Sequence, residues 1–150
     1  MKHIIPLQLV ELEENNYHLV LTSRFAGGEE LTWVIDTGAS KTVFDLTLEG
    51  FYTPLAAEEG MTIQSAGIGT ATLDTSLGML REFTAGEWTI PSMKVALLDL
   101  TSVNALYYRA VGKKICGLMG SDFLLSHRAL IDYGKLEMTL RRQRPMQPKP

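Results

Sequence analysis

The residues best suited to chemistry lie in Trp33-Val34-Ile35-Asp36-Thr37-Gly38-Ala39-Ser40. Bulky apolar residues there deliver a carboxylate onto a turn of Thr, Gly and Ala. Val34 and Ile35 read as the core-anchored end of a strand, so Asp36 is held rather than loose in solvent. Thr37 has a hydroxyl that can bind backbone groups and tie the turn down. Gly38 and Ala39 carry little or no side chain, which lets another backbone or a substrate approach. Ser40 could hydrogen-bond near the carboxylate. A carboxylate fixed in this way suits general acid–base work. Taken alone, the Asp-Thr-Gly triplet is more often a plain turn, because Asp and Gly are turn formers.

The elements that must position Asp36 read as β-structure. Leu7, Leu9 and Glu11 fall on one face of a strand, and Glu13-Glu14-Asn15-Asn16 is a polar turn. Tyr17 to Phe25 resumes the strand pattern, Ala26-Gly27-Gly28-Glu29 turns, and Leu31 to Ile35 runs back, giving a meander. Thr42 to Leu48 suits another strand, and Phe51 to Gly60, with Pro54, reads as loop or one helical turn. Short strands are expected either side of Ala66-Gly67-Ile68-Gly69-Thr70, and two more between Glu87 and Leu100, broken near Pro91. Leu100 to Arg109 tempts a helix assignment. The one short helix expected runs from Ser121 to His127, with Ser121 as its cap and Asp122 at the positive end of its dipole. Ala129 to Leu140 reads as a hairpin turning at Asp132-Tyr133-Gly134-Lys135.

A second segment follows far downstream: Ile115-Cys116-Gly117-Leu118-Met119-Gly120-Ser121-Asp122-Phe123-Leu124, apolar residues and glycine leading into the short helix. Between the two lies the glycine-flanked tip Gly67-Ile68-Gly69. In this order the three elements resemble the retropepsin-like aspartic peptidases, the viral proteases and their cellular and bacterial relatives. The resemblance runs from about Leu31 to Leu140. It implies a mostly β fold, an acid-protease β-barrel with one short C-terminal helix, occupying residues 1–140. It also implies that Asp36 is the catalytic carboxylate, with Thr37, Gly38, Ala39 and Ser40 supporting it and Thr37 reaching the equivalent turn of a partner. Gly67, Ile68 and Gly69 would be the tip of a flap that closes over substrate. Leu118, Met119, Gly120 and Asp122 would support the catalytic loop from the second motif, and Ile131-Asp132-Tyr133 matches the strand that follows the helix in cellular members. Viral members usually carry Arg after the glycine of the second motif, where Ser121 and Asp122 stand here. The long meander before Asp36 also exceeds the viral plan.

Peptide hydrolysis of this kind needs two carboxylates on one water, and this chain supplies one. Asp74-Thr75-Ser76 lacks the glycine, and Asp132-Tyr133-Gly134 has a tyrosine in the way. The expectation is therefore a homodimer in which two copies of Asp36 meet at a twofold axis, acting on a peptide or protein without a cofactor. The alternative is a peptide-binding or structural module that keeps the fold and does not cut.

Composition fits a single globular domain: 150 residues, 45% hydrophobic and 21% charged. A net charge of -3 offers no basic field for nucleic acid. Cys116 is the lone cysteine and reads as a small buried hydrophobe, so no internal disulfide marks an oxidising compartment. His3, His18 and His127 are scattered, His127 placed to favour the C-terminal end of the short helix, and no metal site is expected. Trp33 and Trp88 read as core aromatics. Neither Gly67-Ile68-Gly69 nor Gly117 to Gly120 has the lysine of a phosphate loop. Glu11, Glu13 and Glu14 interrupt any signal-peptide core, no apolar run reaches membrane-spanning length, and a cytoplasmic location is expected. Residues 141–150, with four basic residues and three prolines, are expected to fray.

Overall fold

The computed structural model describes residues 2–56 and 76–141. The chain opens with β1 (Lys2–Pro6), β2 (Gln8–Glu13), β3 (Asn16–Arg24) and β4 (Glu30–Ile35). Asn15, at φ 64°, turns β2 into β3, a left-handed conformation that Asn tolerates better than most residues. Then come β5 (Val43–Asp45), a 3₁₀ turn at Glu49–Phe51, β6 (Tyr52–Leu55), β7 (Ser76–Leu80), β8 (Phe83–Ala85), β9 (Trp88–Ile90) and β10 (Met93–Leu98). The remainder comprises α1 (Thr101–Val111), β11 (Gly117–Met119), α2 (Ser121–Ser126), β12 (Leu130–Asp132) and β13 (Glu137–Arg141). The class is mostly β, as expected. Among the described residues, no helix is long and apolar enough to cross a membrane.

The main sheet runs β6-β7-β10-β5-β11-β4-β3-β8-β9, with β2 paired to β3. A smaller sheet, β1-β13-β12, joins the first described strand to the last within one chain. Tyr52 and Leu80 at one end of the main sheet share a core with Phe83 and Ile90 at the other, so the sheet must curl around that core. Met138 and Leu140 of the small sheet close it. Alternation along the strands sorts side chains by face. Leu19, Leu21, Trp33 and Met119 point into this core, while Val20 and Val34 point to the opposite face and pack with Tyr107 of α1 and with Ile115.

Several expectations need correction. Residues 52–55, read as loop or a helical turn, form β6; it is an edge strand, where the absent N–H of Pro54 leaves no ladder bond broken. β1 and β8 were not foreseen. Beside the expected α2 stands α1, longer than it, over the stretch that only tempted a helical reading. Its β-leaning Val103, Tyr107 and Tyr108 obscure the pattern, yet Asn104, Tyr107 and Val111 recur at helical spacing toward the sheet. The Asp99 carboxylate accepts from the Thr101 amide at 2.9 Å, and hydrogen bonds from Thr101 hold its pKa below the usual value. Gly112, at φ 69°, ends the helix by donating its N–H to the Tyr108 carbonyl. The Asn104 amide clamps the chain entering β11, donating to Ile115 O at 3.1 Å and accepting from Ile115 N at 2.7 Å.

β11 lies between β4, to which it is parallel, and β5, to which it is antiparallel. This close passage requires glycine. A Cβ on Gly117 would stand 2.1 Å from Val43 O and 2.7 Å from Trp33 Cζ3. Gly117→Ala is therefore expected to lower the free energy of unfolding by about 3 kcal/mol, measured by urea denaturation.

Candidate active site

Asp36 is the first residue beyond β4, and its placement follows from the strand beside it. The parallel β4–β11 pairing sets Val34 opposite Leu118 and Ile35 opposite Met119. It continues one step further, with the Asp36 amide donating to Met119 O at 2.9 Å. The turn then closes on itself. Gly38 N donates to Asp36 Oδ1 at 3.1 Å, and Ala39 N donates to Asp36 O at 3.1 Å, the local pattern Asp favours. Asp36 is half-buried, Thr37, Gly38 and Ser40 are exposed, and Ala39 is buried.

The second motif lies against this turn. Ser121 N donates to Ala39 O at 2.7 Å. A Cβ on Gly120 would meet Ala39 O and Lys41 O at 2.8 Å, so the loop rests directly on the glycine backbone. Leu118, Met119 and Gly120 thus lie beside the Asp36 loop. Ser121 is not the helix cap: Gly120 holds that position with extended backbone, and the Ser121 amide is already committed to Ala39. Asp122 sits in the first turn of α2, as expected, and does more than complement the dipole. Its Oδ1 accepts from Thr42 Oγ1 at 2.7 Å and from Phe123 N at 2.8 Å.

Thr42 is the residue that sequence reasoning missed. Fully buried, it donates to Asp122 and accepts from Gly120 N at 3.1 Å, so one hydroxyl joins the end of the Asp36 loop to both parts of the second motif. A threonine entering a strand is too common a feature to have marked it.

Other candidates fall elsewhere. Gly67, Ile68 and Gly69 lie outside the described residues, as do Asp74, Thr75 and residues 142–150. Among the described residues, no group of three or more His, Cys, Asp or Glu is arranged to hold a metal ion. Cys116 is buried, and burial pushes its thiol well above the usual range. The His127 ring packs on Phe123 with centroids 4.4 Å apart, and burial lowers its pKa from 6.5. Trp33 is fully buried, whereas Trp88 is partly buried and stacks on His3. A groove of about 880 Å³ lies between α1 and the sheet, lined by residues including Thr32, Asp45, Asn104 and Lys114; Asp36 does not line it. The turn at Asp36, with a held carboxylate and an exposed rim, is the better-organised chemical feature.

A protein-family model described as aspartyl protease matches residues 21–123, which include the first motif and the second as far as Phe123. Among solved structures, a retropepsin-like aspartic protease from Rickettsia conorii is similar in fold, with a TM-score of 0.50 and 15% identity over 97% of this chain and 94% of that one. No curated protein matches.

Replacing Thr42 with Val keeps its shape but leaves Gly120 N–H without its acceptor. Thr42→Val is expected to cost about 2 kcal/mol of stability, and Thr42→Ser to recover most of it, read by urea denaturation. A thiol reagent added to the folded protein is expected to leave Cys116 unmodified and to react fully once denaturant is added.

Proposed function

Because the chain belongs to the aspartyl protease family, we propose that it is a homodimeric aspartic endopeptidase in which each subunit contributes Asp36. The observation that carries this reading is the Asp36 turn. It is pinned from behind by Met119 and Ser121, while Thr37 and Gly38 are left exposed at its rim. A rigid carboxylate with an uncovered rim suits a site completed by a second copy. Thr37 would cross to the partner's turn, and Gly67-Ile68-Gly69 would form the flap over an extended substrate. The pairing of β1 with β13 within one chain supports a dimer whose halves do not exchange these two strands.

Two carboxyl groups about 3 Å apart cannot readily ionise together, so they share one proton. The ionised Asp36 takes a proton from the bound water as the water oxygen attacks the peptide carbonyl carbon. The neutral Asp36 of the partner gives its proton to the carbonyl oxygen, and a tetrahedral diol forms. Collapse of the diol breaks the C–N bond, with a proton passing to the amine that leaves. No covalent acyl-enzyme arises, and no metal is needed. The substrate is an extended peptide, held as an added strand.

Asp36→Asn is expected to lower peptide cleavage by at least ~10³-fold while leaving the circular dichroism spectrum and dimerisation unchanged. After subunit exchange between equal amounts of wild type and Asp36→Asn, the mixture should show about one quarter of the activity of the same total amount of wild type, the share of wild-type homodimers among all dimers under random pairing. Retention of about one half would mean that each subunit works alone.

A further inference from the structure

The face of the sheet on which Asp36 emerges is covered by α1, and two polar side chains meet there. The β3–β4 register pairs Val20 with Val34 and Leu21 with Trp33. Carried two residues further, one step past the end of β4, it sets His18 opposite Asp36. Period-two alternation puts both on the face of Val20 and Val34, the one that packs on α1. Tyr107 reaches this face from α1, buried against Val20, Val34 and Ile115, and its hydroxyl is hydrogen-bonded to His18 Nδ1. One helical turn earlier, Asn104 fixes the same side of α1 to Ile115. The tyrosine is therefore held at both ends of its contact, by packing along the ring and by a polar partner at its tip.

We propose that Tyr107 and His18 are positioning residues for Asp36: the hydrogen-bonded pair walls one flank of the carboxylate from within its own subunit and clamps α1 to the catalytic strand. The inference rests on the reading of Asp36 as the catalytic aspartate. Its physical basis is the otherwise apolar character of this face, where Val20, Val34, Leu118 and Ile115 gather. The Gly38 amide holds Asp36 Oδ1 from the turn, and a polar pair on the α1 side lowers the cost of keeping the carboxylate ionised beside apolar surface. Burial, and secondarily the charge of Asp36, push the Tyr107 phenol up to about 12. The phenol thus stays neutral through the range in which a carboxyl dyad works, and it acts as a fixed dipole that adds no competing charge. His18 orients that dipole from the neighbouring strand.

The first arm of the test needs no catalysis. With tyrosines labelled with ¹³C at Cζ, and Tyr107→Phe used to identify the Tyr107 signal, the protein is titrated upward from neutral pH. The Tyr107 midpoint is expected to fall in Asp36→Asn, because a neighbouring negative charge has been removed; an unmoved midpoint overturns the contact. The second arm is kinetic. Tyr107→Phe, which keeps the ring, is expected to lower kcat about tenfold with KM within about twofold. His18→Phe should match it, and His18→Asn, which restores an amide near the position of Nδ1, should recover most of the loss. Wild-type kcat in Tyr107→Phe overturns the positioning role and leaves the peptidase reading intact. A wild-type dimer that cleaves no peptide in a mixed pool sinks that reading itself, and the positioning role with it.

Discussion

The passage of β11 between β4 and β5 is the constraint from which the rest of the site follows. A strand lying between the two strands that the Asp36 loop connects forces that loop to pass over its end. The loop then meets β11 and the residue that opens α2 through backbone pairs, Asp36 N on Met119 O and Ser121 N on Ala39 O, and the Thr42 hydroxyl adds a side-chain acceptor for Gly120 N. Backbone contacts of this kind are less tolerant than side-chain packing, because neither partner can rotate away. They account for glycine at 117 and 120, where a Cβ would enter neighbouring backbone atoms. They also account for a loop that holds its carboxylate in place, as the proposed acid–base chemistry on a single water requires.

Much of this was legible in residue types. The apolar run into Asp-Thr-Gly marked the strand and turn, and the polar clusters at 13–16 and 26–29 fell where the chain reverses. The second motif was readable because glycines on either side of two apolar residues, followed by an acidic helix start, are an unusual combination. Thr42 was not legible, since its importance lies in two partners, Gly120 and Asp122, that only the fold brings within 3.1 Å. α1 was half-legible. Its helical spacing is real, but Val103, Tyr107 and Tyr108 favour strands, and tertiary packing on Val20 and Val34 overrides that preference. β1 pairs with β13 at the far end of the described chain, a pairing of which local pattern carries no trace, and β8, which pairs with distant β3 and adjacent β9, has only three residues in which to show alternation.

The two faces of the main sheet serve different ends. One buries Trp33, Phe44, Phe83 and Met119 in the aromatic-rich core that gives the sheet its curl. The other carries the smaller cluster under α1, where Asn104 and Tyr107 supply the polar anchors. Asp36 leaves β4 on this second face, so the α1 side of the sheet is where the chain can shape the surroundings of its own carboxylate. The rim formed by Thr37 and Gly38 is exposed.

The account stands or falls on whether two equivalent aspartates converge. A crystal structure of the dimer that forms in solution measures this directly. The account predicts two Asp36 carboxyl groups about 3 Å apart across a twofold axis, with a water between them and Thr37 of each subunit at the junction. Carboxyl groups separated by more than about 10 Å, beyond the reach of a single shared water, would contradict it.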